Sequence, residues 1–313
     1  MSADFQAIQQ KQETKKFVQK PKKHNEPFWN NIKVVPYLYI LPNMLLFLVF
    51  MIVPICMTFY YSLTEWTGMD QPRWVGLQNY FRIFQDKVFQ KSMWNTFLFT
   101  VTTVPLLMVL ALIFAVLLNQ KIHFRGFFRS ALYIPSVIST VAVGMVFVWM
   151  FNSQVGLVNY VLNTFGMKSI EWTNDPKYAL TMVIISTIWN RTGYNMVIYL
   201  SALQGISPEY YEAAKIDGAS GWQRFRHITM PLLSPTHMFV LITCVINSFR
   251  SFDLIYVMTK GGPLNATKTL VVYVYDTAFK MNQFGQASAA GVVLFLILLV
   301  FTMIRMKREK GVM

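Results

Sequence analysis

The amino-acid sequence predicts an all-α integral membrane protein with six transmembrane helices. Of the 313 residues, 54% are hydrophobic and the mean hydropathy is +0.39, which argues against a soluble body. Six apolar stretches are each close to the ~20 residues that cross the ~30 Å hydrocarbon core of a bilayer. Basic residues, which give the chain a formal net charge of +14, flank these stretches. The predicted spans are residues 36–61, 94–119, 130–151, 178–202, 236–257 and 286–306.

The two ends of the chain are predicted to be short polar tails around a membrane domain of residues 36–306. Residues 1–35 carry seven lysines and few apolar residues, so we expect a retained, disordered and basic tail. The apolar run that follows is too long and too interrupted by proline for a cleaved signal peptide. Residues 307–313 are the second predicted tail.

The spans are predicted to be helices because an open strand edge in lipid would leave backbone groups unpaired. Kinks rather than breaks are expected where proline falls inside a span. Four prolines do so: Pro42, Pro54, Pro105 and Pro135. The sixth span opens with Ala287 and Gly291 four residues apart, which favours close contact with another helix.

The distribution of Lys and Arg predicts the orientation of the six spans. The terminal segments 1–35 and 305–313 and the loops 120–129 and 203–235 carry 17 basic residues in 87 positions. The remaining loops, 62–93, 152–177 and 258–285, carry 9 in 86 positions. Because basic residues are enriched on the cytoplasmic side, both termini and the 203–235 loop are predicted to be cytoplasmic.

The 203–235 loop has helix signals of its own. Ser207 suits an N-cap, Pro208 suits the first helical position, and Gly218 is expected to end the short helix PEYYEAAKID. The loop is therefore predicted to begin with a short helix that lies outside the membrane.

A second short helix is predicted directly after that glycine. Ser220 and Gln223 have the spacing of a capping box for the segment SGWQRFRHIT, which we expect to stop at Pro231. Two amphipathic helices would then meet at a sharp turn. Such a hairpin either packs on the protein's own surface or docks a partner.

The amino-acid sequence of this loop favours the second possibility, the docking of a partner. Residues 209–235 read EYYEAAKIDGASGWQRFRHITMPLLSP, which closely resembles the EAA signature of the permease subunits of binding-protein-dependent ABC importers. Residues 249–279, FRSFDLIYVMTKGGPLNATKTLVVYVYDTAF, resemble the maltose-transporter-like carbohydrate branch of that family. WVGLQNY at 74–80 and FRGFFRSALYIPSVIS at 124–139 also fit, so the resemblance covers about residues 36–306.

The resemblance implies the fold of a type I ABC importer permease with a cytoplasmic coupling helix. In that family this loop sits in a cleft of a separate ATPase. The residues that match the signature are the expected ATPase-coupling residues: Glu212, Ala213, Ala214, Asp217 and Gly218. Alanines permit close approach, the carboxylate of Glu212 suits an arginine of the partner, and Gly218 permits the turn.

The resemblance also implies partners and a function. The expected partners are a second permease subunit in a heterodimer, two cytoplasmic ATP-binding-cassette ATPase subunits, an extracytoplasmic solute-binding protein and membrane lipid. The expected location is a bacterial-type cell membrane, and the expected activity is import of a sugar or oligosaccharide. This chain would be no enzyme, because ATP hydrolysis would belong to a partner. Import of glycerol-phosphate or a polyol is the alternative substrate class.

Polar residues inside the fourth and fifth spans are the candidates for substrate contact. An ionised side chain at mid-bilayer costs about 2.5–3.5 kcal/mol, so it needs a partner or a wet cavity. The candidate pathway residues are Asn190, Arg191, Tyr194, Asn195, Asn247, Arg250 and Asp253. Amides and an aromatic ring suit sugar hydroxyls and C–H faces. Two structural alternatives stay open: interhelical hydrogen bonds for the cluster, and an intrahelical ion pair for Arg250 with Asp253.

Other classes of function have weaker support. Cys56 and Cys244 both lie in apolar runs, and the four histidines have no metal-ligand spacing, so neither a metal nor another cofactor is expected. A nucleic-acid partner is not expected, because the basic residues follow the membrane topology. An ion-coupled secondary transporter could use Arg191, Arg250 and Asp253 as a relay. An intramembrane enzyme would need paired acids or an HExxH motif, which the sequence lacks.

Overall fold

The structure is a computed structural model that describes residues 35–310 of the chain. The predicted tail 1–35 therefore lies outside the described residues, apart from its last residue, as does the end of the second predicted tail. The chain divides into two compact units, one up to Met57 and one from Thr58 onward.

The first unit is helical over its described part. Helix α1 (Val35–Phe47) leads through a π-helical turn (Leu48–Ile52) into α2 (Val53–Ser62), whose first residues complete the unit. The π-helical turn ends at Ile52, two residues before Pro54, which has no N–H to donate to the helix. A kink was predicted at the prolines of the first span, and the irregularity that the structure shows between Pro42 and Pro54 is a π-helical turn.

The second unit opens with a small hairpin and a short helix. Strands β1 (Thr64–Glu65) and β2 (Arg73–Trp74) pair antiparallel, and α3 (Gln78–Gln85) follows. The buried amide of Asn79 in α3 donates to two backbone carbonyls at the start of the hairpin, at 2.9 and 2.8 Å. Two strands of two residues leave the predicted all-α class unchanged.

Helix α4 (Lys87–Asn119) is longer than the predicted second span. It starts before residue 94 because the side chain of Asp86 caps it, accepting from the backbone N–H of Val88 at 2.8 Å. Pro105 lies inside α4 without ending it. This helix and α8 (Pro176–Gln204) form the main helix pair of the unit, and both contribute to its apolar core.

The predicted third span, 130–151, is broken rather than straight. Helix α5 (Arg125–Tyr133) leads into a 3₁₀ turn (Ile134–Ser136), and α6 (Thr140–Met150) leaves at an angle of 93°. Pro135 explains the break, because it cannot donate an N–H to the preceding turn. Helix α7 (Leu157–Thr164) then precedes α8.

The 203–235 loop contains the two predicted helices, with one correction. Helix α9 (Pro208–Ile216) is followed by α10 (Gly221–Arg224), a π-helical turn (Phe225–Thr229) and α11 (Met230–Leu232). The second helix therefore continues past Pro231, where we expected it to stop. A proline is tolerated in the first turn of a helical segment, and Pro231 occupies that place in α11.

The predicted fifth span, 236–257, is also interrupted. Helix α12 (Ser234–Phe249) is bent by 64° from the preceding segment and ends where Arg250 leaves the helical path. Helix α13 (Asp253–Thr259) begins after this break, so residues 250–252 are not part of a continuous helix.

The last elements are α14 (Leu270–Tyr275), a π-helical turn (Asp276–Lys280) and α15 (Phe284–Lys310). Helix α15 extends beyond the predicted sixth span and includes the first residues of the predicted C-terminal tail. Ala287 is buried, whereas a Cβ atom at Gly291 would meet nothing within 4 Å in the described part of the chain, so the expected close contact does not form there within this chain.

Three unbroken helices in the described part of the chain are long and apolar enough to cross a membrane, and the two bent pairs could make two more. The unbroken helices are Tyr37–Ser62, Lys87–Asn119 and Phe284–Lys307. Helix α8 is 29 residues long, but it carries buried amides and hydroxyls that lower its hydropathy. The helical membrane fold is thus present, and the count of six spans stays a prediction.

Candidate functional site

A polar cavity of about 280 Å³ lies among α4, the α5–α6 break, α8 and α12. Five of the seven candidate pathway residues line it: Asn190, Arg191, Tyr194, Asn195 and Asn247. Residues separated by more than fifty positions in the sequence therefore meet at one site. The cavity is the first of two candidate functional regions in the molecule.

The wall formed by α8 is fixed to the α5–α6 break by hydrogen bonds. The Ser136 hydroxyl donates to the backbone carbonyl of Asn190 at 2.7 Å and accepts from the backbone N–H of Tyr194 at 3.1 Å. The side-chain amide of Asn190 donates to the carbonyl of Pro135 at 2.6 Å. Asn190 therefore both lines the cavity and holds the broken helix in place.

Glycine at position 193 allows this close approach. A Cβ atom there would overlap the backbone carbonyl of Leu132 in α5, so no other residue fits without moving one of the helices. A small residue on α8 thus sets the distance between α8 and the broken helix.

The remaining lining residues of α8 and α12 are mostly neutral hydrogen-bonding groups. Asn195 is 4% exposed; its amide donates to the Arg191 carbonyl at 3.0 Å, and its side-chain oxygen lies 3.4 Å from Cys244 Sγ. Tyr194 is 52% exposed, so its ring is accessible to a ligand. Arg191 is half-buried, and its guanidinium forms no ion pair with any residue that the structure describes.

Sequence reasoning missed the hydroxyl groups of this cavity. They belong to Thr103, Ser136, Thr140, Thr187, Ser248 and Ser251. A weak signal existed for two of them, because Ser248 and Ser251 follow Asn247 by one and four residues. Serine and threonine are common in membrane helices, where they often donate to the carbonyl four residues earlier, as Thr187 does at 2.8 Å. Their presence alone could not reveal a cavity.

Arg250 and Asp253 lie outside the cavity lining. The proposed intrahelical ion pair between them is also absent, because no Arg250–Asp253 contact within 4.0 Å occurs among the described residues. The reason is the helix break: Arg250 caps the end of α12, and Asp253 opens α13. A spacing of three residues brings side chains to one face only while the helix is continuous.

The second candidate region is the 203–235 loop, and its local signals are as predicted. The side chain of Ser207 accepts from the N–H of Glu209 at 3.4 Å, and Gly218 has a φ of +77° that favours glycine. Ser220 and Gln223 form both hydrogen bonds of a capping box. The two arms of the loop are joined by the hydroxyl groups of Tyr211 and Thr229, 3.0 Å apart.

The signature residues of this loop face outward. Glu212, Ala213, Asp217 and Gly218 are exposed, and Ala214 is half-buried. Large apolar side chains are exposed beside them: Ile216 at 87%, Trp222 at 67% and Tyr210 at 56%. A cluster of large apolar side chains exposed beside charged ones has the character of an interaction surface. Ile216 and Trp222 were not among the predicted site residues.

The 258–285 loop is built differently, around buried polar contacts. The amide of Asn95 in α4 donates to the carbonyls of Asn265 and Lys268 at 2.8 and 3.0 Å. Thr259 and Thr267 hydroxyls lie 2.6 Å apart, and the hydroxyl of Tyr273 donates to Asp86 at 2.8 Å. The loop is thereby fastened to the N-terminal part of α4.

Asp276 is the centre of a charged cluster in this loop. Its carboxylate pairs with Lys268 at 2.8 Å and with Lys280 at 2.6 Å. Burial alone would raise the pKa of Asp276, but the hydrogen bonds and charges of the two lysines outweigh burial and leave the pKa below its ordinary value. The carboxylate is therefore ionised at neutral pH.

Comparison with known proteins gives a consistent result. Residues 91–308 match the family described as binding-protein-dependent transport system inner membrane component. The chain is 38% identical over 275 residues to the lactose transport system permease protein LacF of Rhizobium radiobacter, covering 86% of this chain and 92% of that protein. It is 35% identical over 272 residues to the trehalose/maltose transport system permease protein MalF of Thermococcus litoralis, covering 87% and 92%.

A solved structure has the same fold. It is a chain of a bacterial ABC transporter involved in the import of the acidic polysaccharide alginate, with a TM-score of 0.77 and 24% sequence identity. The match covers 90% of this chain and 98% of that chain. At this identity the likeness concerns the fold alone.

This chain belongs to the family of binding-protein-dependent transport system inner membrane components, as the matches to the family and to its curated relatives show. The resemblance drawn from the EAA loop and the predicted all-α membrane permease fold are confirmed, while the count of six spans and the coupling role of the 203–235 loop stay predictions. The chain is a multi-pass membrane permease, a transport subunit. An ion-coupled secondary transporter and an intramembrane enzyme have no support from these matches.

Proposed function

We propose that this permease carries a sugar or oligosaccharide into the cytoplasm and that its 203–235 loop couples the movement to ATP hydrolysis by two separate ATPase subunits. One observation carries the proposal: helix α8 connects the two candidate regions. Four of its residues, Asn190, Arg191, Tyr194 and Asn195, line the polar cavity, and the helix ends at Gln204, close in sequence to the start of α9. A displacement of the loop would therefore be transmitted to the cavity wall.

The chemistry of the cavity supports a carbohydrate. Its lining offers amides and hydroxyls as hydrogen-bond donors and acceptors, and the exposed ring of Tyr194 can stack against a sugar face. Relatives that align over most of this chain are lactose and trehalose/maltose permeases by name. Glycerol-phosphate or a polyol would use fewer of these groups.

The transporter we propose has several chains. A second permease would supply the other half of the path, and a solute-binding protein would deliver the substrate from outside. The exposed surface around Glu212, Ala213, Ala214, Asp217 and Gly218 would sit in a cleft of the ATPase, with Ile216 beside it. Both termini and the 203–235 loop would be cytoplasmic, in agreement with the excess of basic residues in these segments.

The internal contacts of the loop suit a rigid coupling element. The hydroxyl contact between Tyr211 and Thr229 holds the two arms together, so they would move as one body. At the other end of α8, Ser136 and Asn190 tie the α5–α6 break to the same helix. Closure of the ATPase subunits would shift α8 and the α5–α6 break together. The cavity would then change from open on one side of the membrane to open on the other.

The side of the loop and its contact with the ATPase can be tested with one cysteine. Ala213→Cys would be made in a variant with Cys56 and Cys244 replaced by serine. A membrane-impermeant maleimide should label it only in inside-out vesicles, and a short crosslinker should join it to the co-expressed ATPase. Oligosaccharide uptake should stop when the ATPase is inactivated. Labelling in right-side-out vesicles, or uptake that continues without ATP hydrolysis, would overturn the proposal.

A further inference from the structure

The cavity contains a positive charge that forms no ion pair within contact distance in the described part of the chain. Arg191 is half-buried and lines the cavity, yet its guanidinium forms no hydrogen bond or ion pair with any described residue. Asp253, the predicted relay partner, attracts the guanidinium only from a distance, because the two groups make no contact within 4.0 Å and Asp253 does not line the cavity. A charge taken out of water is costly unless something pairs with it. Arg191 is thus available to a ligand.

A second positive feature points to the same cavity. Helix α6 begins at Thr140, which lines the cavity, and the preceding Ser139 makes no side-chain capping bond. The first N–H groups of a helix have no partner within it, and the helix dipole adds a partial positive charge at this end. The 11-residue α6 therefore directs unpaired donors and positive potential toward the space that Arg191 also lines.

The other lining groups do not offset these charges. Among the described lining residues none is Asp or Glu, and the polar ones are amides, hydroxyls and a thiol. Such a lining binds sugar hydroxyls without regard to net charge, whereas the guanidinium and the helix end favour an anion. The geometry of the guanidinium also matches a carboxylate, to which it can donate two parallel hydrogen bonds.

We propose that Arg191 is a specificity-determining residue that pairs with a carboxylate on the transported carbohydrate, so that the substrate class is acidic sugars such as uronic-acid oligosaccharides. The proposal rests on the proposed function and deepens it. The N-terminus of α6 would stabilise the same carboxylate, and Asn195 and Asn247 would bind hydroxyl groups of the sugar. No bond is formed or broken, since the step is binding alone.

The test uses the purified, assembled transporter without its binding protein, so that the cavity alone sets the preference. The probes are two disaccharides that differ only at one C6 atom, a hydroxymethyl group in one and a carboxylate in the other. Binding is measured by calorimetry. The wild type should favour the acidic disaccharide. Arg191→Gln should weaken binding of the acidic disaccharide roughly tenfold to a hundredfold, as loss of a charge-assisted hydrogen bond does, and alter neutral binding less than threefold.

Two further variants keep the test decisive. Arg191→Lys retains the charge but not the paired donors, so it should give an intermediate affinity for the acidic probe. Asn247→Asp adds a carboxylate to the cavity and should also weaken acidic binding by repulsion. If Arg191→Gln does not assemble, these two variants still decide the question.

The possible outcomes separate this inference from the proposed function. Equal binding of both disaccharides by the wild type, or equal loss of both in Arg191→Gln, would overturn the inference and leave carbohydrate transport standing. It would mean that Arg191 donates to sugar hydroxyls or supports the fold. Failure to bind or transport any carbohydrate would overturn both.

Discussion

The 203–235 loop and the 258–285 loop are similar in length but satisfy their polar groups in opposite ways. In the 258–285 loop, side chains of α4 donate to the loop backbone, and Asp276 is 4% exposed between two lysines. In the 203–235 loop the side-chain hydrogen bonds stay within the loop, and its acidic residues are exposed. One loop is fixed by the body of the protein, whereas the other presents a surface.

Because of this difference, mutations in the two loops should affect different properties of the protein. Loss of a buried, paired charge leaves its partner uncompensated and destabilises the folded chain. Loss of an exposed charge with no partner in its own chain changes folding little, so its effect falls on binding. The 258–285 loop should therefore respond in stability, and the 203–235 loop should respond in assembly and transport.

The largest expected effect is that of Asp276→Asn. It leaves the ammonium group of Lys268, whose side chain is only 13% exposed, without its carboxylate, which should cost about 3–5 kcal/mol. Thermal unfolding in detergent should show a lower midpoint, and proteolysis should cut the 258–285 loop faster. A variant as stable as the wild type would contradict the claim that the buried, paired carboxylate of Asp276 stabilises the 258–285 loop.

Acid should weaken the same cluster without a mutation. Because the pKa of Asp276 is lowered in the folded state, its stabilisation is complete above the ordinary carboxyl pKa and is lost as the pH falls through the lowered value. The 258–285 loop should therefore become sensitive to protease only below about pH 4. Asp276→Asn should remove this pH dependence.

The next effect is that of Glu212→Ala in the 203–235 loop. The permease should insert and fold normally, since Glu212 is exposed. Its binding to the ATPase should weaken by about 1.5–3 kcal/mol, the loss expected for a charged hydrogen bond. Co-purification of the ATPase and oligosaccharide uptake would measure this. Glu209→Ala, one turn earlier in α9, is the matched control, and equal effects of the two variants would contradict a specific role for Glu212.

A smaller effect is expected from Gly218→Ala. The φ of +77° disfavours alanine by about 1–2 kcal/mol, although a Cβ atom there meets nothing within 4 Å. The turn between α9 and α10 should shift, and uptake should fall while the thermal midpoint changes little. Gly221→Ala is the control, because its added Cβ meets only the end of a flexible side chain and its φ is not positive.

The smallest effect is expected from Lys280→Met. This lysine also pairs with Asp276, but its side chain is 48% exposed, so water replaces the pair and the cost should be less than about 1 kcal/mol. The contrast with Lys268→Met, which removes a 13% exposed partner of the same carboxylate, would show whether burial sets the strength of the cluster. Equal losses in thermal stability would argue that it does not.

Much of the 203–235 loop could be predicted because its signals are local. The cap at Ser207, the glycine at 218 and the capping box of Ser220 with Gln223 each involve residues within four positions of one another. Local hydrogen bonds of this kind do not depend on distant parts of the chain. Only the end predicted for the second helix, at Pro231, was wrong, because this proline lies in the first turn of the helical segment α11, where it is tolerated.

The cavity could be predicted only in part. The cluster around Arg191 and Asn195 stood out because polar groups are costly in an apolar span. That Asn190 also holds the Pro135 carbonyl, and that Arg250 and Asp253 lie outside the lining, depended on two helix breaks. A proline within an apolar run is compatible with a kink or a break, and the sequence does not distinguish them.

The membrane fold, the EAA loop and the polar character of α8 could be predicted without coordinates, because they follow from composition and from neighbours along the chain. Which polar groups share a site became apparent only in the folded chain: Arg191 and the start of α6 line one cavity, and Asp276 lies between Lys268 and Lys280. The physical reason is that contacts between distant residues depend on where helices end and how closely they pack. At position 193, α8 can approach α5 closely because glycine has no side chain. This effect can be recognised only in the structure, where the two helices lie side by side.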